Sequence, residues 1–410
     1  MSTMMVTFYS HIVNFILALQ LQLSKPQMNH LLTFIHGIIL TDGRVNIAQI
    51  RRSTGDTRDL SCMTRFLNES PWCPNRVTRR RLQFVINRIR RARAKAGDIR
   101  PIVFFIVDDT QSKKDRSTKR MEGLDNHFSH SDGKTVWSHC IVTAHVVSED
   151  YSFAWDFRSY FRESYCQEEG ISFKSKNDLA IELINSYQQS DDEQVYVLVD
   201  SWYTSKKLIE ACYLKGFHLI GGLRVNRKIY PSGIGVKISD FASTFIEATD
   251  LHSVTVDGHS YKLYSYEGNL ADTEYAKVLL SWENEFASNK TPFCLLCTDS
   301  SLNLVTILRY YNVRWNIETG YRYFKELLGF DEYQLLSRKG IERFWCIEFL
   351  TYNYLEYQRQ EWQQELPLTI GDVVRRIRKD HLGQIVVYAY EQGRSKRSLK
   401  DLLKDLRLAV

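Results

Sequence analysis

Three acidic side chains stand out by position rather than by number. Residues 101–107 form an unbroken apolar run that ends in Asp108, Asp109 and Thr110, and residues 195–199 form a second that ends in Asp200. A short continuous apolar run reads as a strand buried on both faces, so each run delivers a carboxylate at the C-terminal end of a core strand. The third acid lies in Tyr311-x2-Arg314-x3-Glu318-x6-Lys325. On a helix these four positions fall at roughly 0°, −60°, −20° and −40°, one narrow stripe. Val313, Ile317, Phe324 and Leu327 fall opposite, at roughly 160° to 240°, so the helix can rest on a core while presenting Tyr, Arg, Glu and Lys. Carboxylates bind hard divalent cations, and Arg and Lys beside them suit phosphate oxygens. Taken alone, the stripe could be an intrahelical ion pair between Arg314 and Glu318, worth only about 0.3 kcal/mol. The two strand-end aspartates argue against that reading.

Asp108 and Asp109 compete for one role, because adjacent strand residues point to opposite faces and only one can turn toward the other acids. His127, His130, His139 and His145 invite a metal reading, but their spacing does not place them on one helix face, and exposed or hydrogen-bonded histidines are the plainer expectation. Cys294 and Cys297 form the one C-x-x-C, inside a strand-like run over residues 292–298 and without a second ligand pair, so zinc is not expected. The 8 cysteines are scattered without a secretory signal, which points to free thiols in a reducing compartment.

These residues need a large scaffold. A chain of 410 residues, 44% hydrophobic and 25% charged with 7 prolines, is a folded protein of several structural units. We divide it into a helical unit (1–98), expected from the charge pattern below to bind DNA, a core in two parts that carries the three acids (99–223 and 304–365), a β-strand insertion (224–303) and a basic helical tail (366–410). Residues 4–23 are apolar but interrupted by Thr7, Ser10, His11, Asn14 and Gln20, so an amphipathic helix is expected rather than a membrane span.

The net charge of +6 suits a phosphate-rich partner without proving one. Its distribution says more. The helix expected over residues 78–96 carries Arg79, Arg80, Arg81, Arg88, Arg90, Arg91, Arg93 and Lys95, and no acid occurs between Glu69 and Asp98. Such a helix repels itself unless an anion lies along it, which favours contact with a DNA backbone over a merely solvated basic face.

Taken together, Asp108-x-Thr110, Asp200 and the Tyr-Arg-Glu-Lys stripe resemble the DDE transposases of cut-and-paste bacterial insertion sequences, in the branch with the Y-R-E-K pattern. Asp200-Ser-Trp-Tyr, the run from Gly221 to Arg227, and Leu328-Gly-Phe-Asp331 add to the similarity, which spans about residues 99–357. The resemblance implies an α/β fold: an RNase H-like mixed sheet flanked by helices, with Asp108 on its first strand, Asp200 on the fourth and Glu318 on a later helix. The β insertion accounts for the long stretch between Asp200 and Glu318. The D-x-T pattern selects Asp108 over Asp109.

The resemblance also implies a mechanism. The three acids would hold two Mg²⁺ ions about 4 Å apart, with Mn²⁺ able to substitute, and water and then a freed 3′-OH would attack phosphodiester bonds. Tyr311, Arg314 and Lys325 would hold DNA beside the acids, together with Arg79, Arg80, Arg81, Arg88 and Arg91 from the N-terminal unit. In relatives an aromatic residue of the insertion receives a flipped base; Trp282 is the candidate here, with an ordinary core role as its alternative. The partners implied are double-stranded DNA, as terminal inverted repeats and target, and a second copy of the chain. The place implied is the bacterial cytoplasm, at the nucleoid and without a membrane.

One departure concerns the stretch after Asp108, often Gly-rich in the family but here carrying Lys113, Lys114, Arg116, Lys119 and Arg120, which is expected to stay mobile until DNA binds. Two other classes compete with the transposase reading. A domesticated DNA-binding protein would have lost an acid, and an RNase H-like nuclease or junction resolvase would need neither the insertion nor the stripe.

Overall fold

A computed structural model describes residues 9–56, 58–96, 101–129, 132–271, 273–363 and 366–406. The expected boundary between residues 98 and 99 lies outside them. Five helices come first: α1 (Ser10–Ala18), α2 (Lys25–Leu40), α3 (Ile47–Ser53), α4 (Leu60–Asn68) and α5 (Pro74–Ala96). Local chemistry fixes their starts. Ser24 and Gln27 form a reciprocal capping box ahead of α2, with a proline in its first turn, and Asn46 and Asp59 cap α3 and α4.

The chain then forms β1 (Ile102–Lys113), β2 (Asp125–Ser129), β3 (Lys134–Ser148), β4 (Tyr151–Tyr160), α6 (Glu163–Glu168), α7 (Lys176–Ser186), β5 (Gln194–Val199), α8 (Lys206–Leu214) and β6 (His218–Leu223). β3 lies antiparallel between β1 and β4, while β5 and then β6 continue the sheet parallel to β1. The resulting order β4-β3-β1-β5-β6 is an RNase H-like core, in agreement with the expected fold. β1 runs on past the apolar segment to Lys113, because β3 keeps pairing with it there.

Beyond β6 come β7 (Lys228–Ile229), β8 (Val236–Lys237), α9 (Ile238–Thr244), β9 (His252–Val256), β10 (His259–Leu270), β11 (Thr273–Glu283) and β12 (Phe293–Cys297). β12 pairs with β6 and β11 with β12, so these strands extend the core sheet to twelve strands. The chain ends in α10 (Leu304–Asn312), α11 (Trp315–Glu326), α12 (Arg338–Trp362), α13 (Ile370–Arg394) and α14 (Leu399–Leu406). α12 is buried along most of its length and shares one apolar core with α1 to α4, α11 and α13. No helix among the described residues is long and apolar enough to cross a membrane.

The twofold alternation of strand side chains sorts the rest. Val103, Phe105 and Val107 of β1 and Val195, Val197 and Val199 of β5 face the core shared with α7 and α8. Ile106 and the even-numbered Tyr196 and Leu198 face the core under α10 and α11, with Ile307, Leu308 and Ile317. Asp108 and Asp200 continue the even-numbered series, so the same period that buries the strands turns both carboxylates toward α11.

Candidate active site

β1 and β5 are paired in parallel up to Ile106 with Leu198, and Asp108 and Asp200 each lie two residues further on. After Val199 the chain turns away from the sheet, and the Asp200 carboxylate holds that turn by accepting from the backbone N–H groups of Trp202 at 2.9 Å and Tyr203 at 3.1 Å. Gly222 on β6 makes room for it. A Cβ there would stand 2.8 Å from the backbone nitrogen of Ser201, a distance real side chains do not adopt, so the Gly221-Gly222 pair has a packing reason.

The third acid arrives on α11. The sequence suggests one helix over the Tyr-Arg-Glu-Lys stripe, but the structure divides it: Tyr311 belongs to α10, Arg314 precedes α11, and Glu318 and Lys325 lie within α11. The junction is a tight turn in which Val313 and Arg314 donate three residues back, to Tyr310 at 3.1 Å and Tyr311 at 2.9 Å. Backbone angles stay in the right-handed helical region at both residues, so the stripe keeps its common face. Gly320 lets α11 approach β3, where a Cβ would meet the His145 ring at 3.2 Å. Tyr321 and Thr143, the β3 partner of Asp108, share a hydrogen bond of 2.7 Å.

Arg314 ties the acids together. Its guanidinium donates to Asp108 at 3.0 Å and to Glu318 at 3.4 Å, and it lies 5.9 Å from the Tyr311 ring centroid. Burial, followed by the neighbouring Asp109 and Asp200 carboxylates, pushes the Asp108 carboxyl well above the carboxylate range; Arg314 opposes this and Glu318 adds to it. Burial likewise raises the Tyr311 hydroxyl and lowers the Lys325 ammonium. Among the described residues, no carboxylate is ion-paired with Lys325.

Asp109 points the other way. It accepts from Lys176 at 2.7 Å and from the Tyr203 hydroxyl at 2.8 Å. Among the described residues no three His, Cys, Asp or Glu groups stand ready to hold a metal ion; positive charge at Asp108 and Glu318 comes from Arg314. The donor set nevertheless suits a hard divalent cation, being made of carboxylate oxygens at strand ends, and Arg314 marks where positive charge is favoured.

Several DNA-contact candidates have other employment. Arg81 is 1% exposed, donates to the Ala154 carbonyl at 2.7 Å and stands 3.7 Å from Asp156, so it has no surface to offer DNA. Arg80 bonds the Leu19 carbonyl and Gln20, at 2.8 and 2.7 Å. Arg88 packs over the Tyr357 ring and pairs with Glu361. Arg93 pairs with Glu193 at 2.6 Å. The acids missing around α5 in sequence are therefore supplied from β4, α12 and the segment before β5, which relieves the self-repulsion without an anion. Arg79, Arg90 and Arg91 keep an exposed face, although Arg90 stands 4.0 Å from Glu193.

Trp282 is also not where a base could reach it. It is 1% exposed on β11, donates to the Lys290 carbonyl at 2.8 Å and packs edge-on against Phe286. Exposed aromatics to which the sequence reading gave no base-receiving role include Trp315, next to Arg314 in the chain, Phe293 at 5.7 Å from the Tyr311 ring, and Trp202, two residues after Asp200. The stretch after Asp108 is anchored rather than loose at its start, since Lys113 pairs with Asp132 and Lys114 donates to the Tyr333 carbonyl at 3.0 Å.

His139 bonds Tyr333 and the Glu122 carbonyl, and His145 bonds Ser152. Burial lowers His127 to about 4; His130 and the Lys95 side chain lie outside the described residues. Cys294 and Cys297 face opposite sides of β12, and all eight cysteines are unpaired.

An RNase H-like sheet that carries carboxylates at the ends of two adjacent parallel core strands, with a third on a helix beside them, is an architecture of nuclease-class enzymes. Residues 18–240, over half of the chain, match the family described as DDE superfamily endonuclease, and residues 174–354 match the transposase DDE domain. The chain belongs to this DDE superfamily of transposase-type endonucleases. No curated protein matches it.

Proposed function

We propose that the chain is a cut-and-paste transposase of the Y-R-E-K branch. It binds the terminal repeats of a mobile element, breaks phosphodiester bonds there and joins the freed 3′-OH ends to target DNA. Asp108, Asp200 and Glu318 are the residues that hold two Mg²⁺ ions, or Mn²⁺ in their place. When bound, such ions activate an attacking oxygen and stabilise a leaving one at phosphorus.

The chain's own residues orient the DNA. Arg314 leaves its bridge between Asp108 and Glu318 and donates to phosphate oxygens, where a guanidinium binds in two-pronged fashion. Lys325, with no ion-paired carboxylate among the described residues, supplies a second positive charge, and Tyr311 stacks or donates beside them. In place of Trp282, the exposed faces of Trp315 and Phe293 are suited to receive an unstacked base. The exposed side of α5, with Arg79 and Arg91, takes the backbone of the end repeat, and the functional division at residues 98, 223, 303 and 365 follows these roles. Two ends require two active sites, so the DNA complex is a dimer acting at the bacterial nucleoid.

The single observation that supports this reading best is that Arg314 gathers Asp108 and Glu318 beside Asp200, in a chain of the DDE superfamily. The test is incubation with Mg²⁺ and DNA carrying the element's own ends. End-specific nicks followed by joined products are expected; binding without cleavage, or cutting that ignores the ends, contradicts the proposal.

A further inference from the structure

The main-chain ladder between β1 and β5 stops short of the acids, at Ile106 and Leu198. Past that point side chains hold the two strand ends together. One oxygen of Asp109 accepts from the Tyr203 hydroxyl at 2.8 Å and the other from the Lys176 ammonium at 2.7 Å. The backbone N–H of the same Tyr203 donates to the Asp200 carboxylate at 3.1 Å. A continuous path thus runs from the residue beside Asp108, through one tyrosine, to Asp200.

The path is built rather than incidental. Tyr203 is 1% exposed. Lys176 is the first residue of α7, behind a Ser175–Asp178 capping box, and its ammonium lies 5.3 Å from the Trp202 ring centroid and 5.6 Å from that of Tyr160. Cys140 of β3 donates weakly to Asp109 at 3.6 Å. Three elements therefore converge on a carboxylate that points away from the other acids.

We propose that Asp109, Tyr203 and Lys176 form a clasp that sets the position of Asp200 relative to Asp108, and are positioning residues for cation binding. This rests on the reading of Asp108 and Asp200 as cation-holding carboxylates. The physical need is clear: Mg²⁺ tolerates little departure from octahedral geometry, and supporting groups must hold its ligands to within about 0.5 Å. Once backbone pairing ends, nothing in the β1–β5 ladder supplies that accuracy. Lys176 also offsets the charge of Asp109, which would otherwise stand unpaired among like charges.

The test is Mn²⁺ binding to the full chain, followed by electron paramagnetic resonance, with melting by circular dichroism in parallel. Tyr203→Phe keeps the ring and removes the tie, and Lys176→Met removes the opposing charge. Each is expected to weaken Mn²⁺ binding about tenfold, as loss of a supporting partner commonly does, while the KM for DNA stays unchanged. Asp109→Asn combined with Lys176→Met removes both charges but keeps an acceptor for Tyr203, and should bind Mn²⁺ more tightly than Lys176→Met alone. A general stabilising role would lower the melting temperature and leave the Mn²⁺ affinity of the folded protein untouched, and that result overturns the clasp. Wild-type protein that binds no Mn²⁺ overturns the cation reading itself, and the clasp with it.

Discussion

The guanidinium of Arg314 donates to the Asp108 carboxylate at 3.0 Å from the turn between α10 and α11, in the position where the proposed function requires a metal ion. An arginine that substitutes for a cation competes with it. Arg314→Gln should therefore tighten Mn²⁺ binding in the absence of DNA, by about tenfold for the loss of one charge-assisted hydrogen bond, yet depress DNA cleavage because the phosphate contact is gone. Calorimetric titration and a cleavage assay on the same preparation read the two opposite signs. Weaker Mn²⁺ binding in the variant would show that Arg314 supports the acids rather than standing in for the ion.

Arg81 and Arg79 are two residues apart on α5 and should behave differently. Arg79→Ala, on the exposed side, should weaken DNA binding for any sequence and reduce the salt dependence by about one phosphate contact. Arg81→Ala removes a buried guanidinium and its bond to the Ala154 carbonyl while Asp156 keeps Arg158 at 2.6 Å, and should cost about 1–3 kcal/mol of stability, with the salt slope unchanged for the folded protein.

Trp282→Ala tests whether that side chain serves the core or the substrate. A fully buried tryptophan should cost about 3–5 kcal/mol in thermal or urea unfolding. If the variant keeps its stability but loses cleavage, the base-receiving role is restored.

Glu348 carries a pH dependence unrelated to the acids of the site. It is fully buried on α12, and neither carboxylate oxygen has a hydrogen-bond partner among the described residues. Burial, then Asp331, raises its carboxyl well above the usual range, while Lys114 opposes. Its contribution to stability is complete below the unfolded value of about 4.3, where folded and unfolded chains are both protonated. It is lost as pH rises from there through the raised folded value, because only the unfolded chain releases its proton freely. Glu348→Gln should flatten this decline and stabilise the protein by about 1–3 kcal/mol at pH 7, with little change near pH 4. Melting curves across that range decide it; a parallel loss in both proteins would show that other groups dominate.

The sequence is informative wherever a local pattern has one physical solution. Unbroken apolar runs before Asp108 and Asp200 read as buried strands, and the spacing from Tyr311 to Lys325 put four side chains on one face, although the structure divides that stretch between α10 and α11, so the site's frame was legible. What stayed hidden depends on partners remote in the chain. The neutralisation of Arg81 and Arg93 comes from Asp156 and Glu193, which no inspection of α5 reveals. The burial of Trp282 is decided by β10 and by the Lys290 carbonyl. The break at Val313 leaves no composition signal, since the backbone angles remain helical. For Asp109, strand alternation told that it faces away from Asp108, but not that Lys176 and Tyr203 await it there.

The central claim is that Asp108, Asp200 and Glu318 share divalent cations beside a DNA phosphate. The most direct measurement is anomalous diffraction from crystals of the full chain with Mn²⁺ and end-repeat DNA. The account predicts anomalous peaks within bonding distance of carboxyl oxygens from all three residues, with Arg314 turned from Asp108 to a phosphate. Peaks elsewhere, or three carboxyl groups too far apart to share the ions while Arg314 still bridges Asp108 and Glu318, would contradict it.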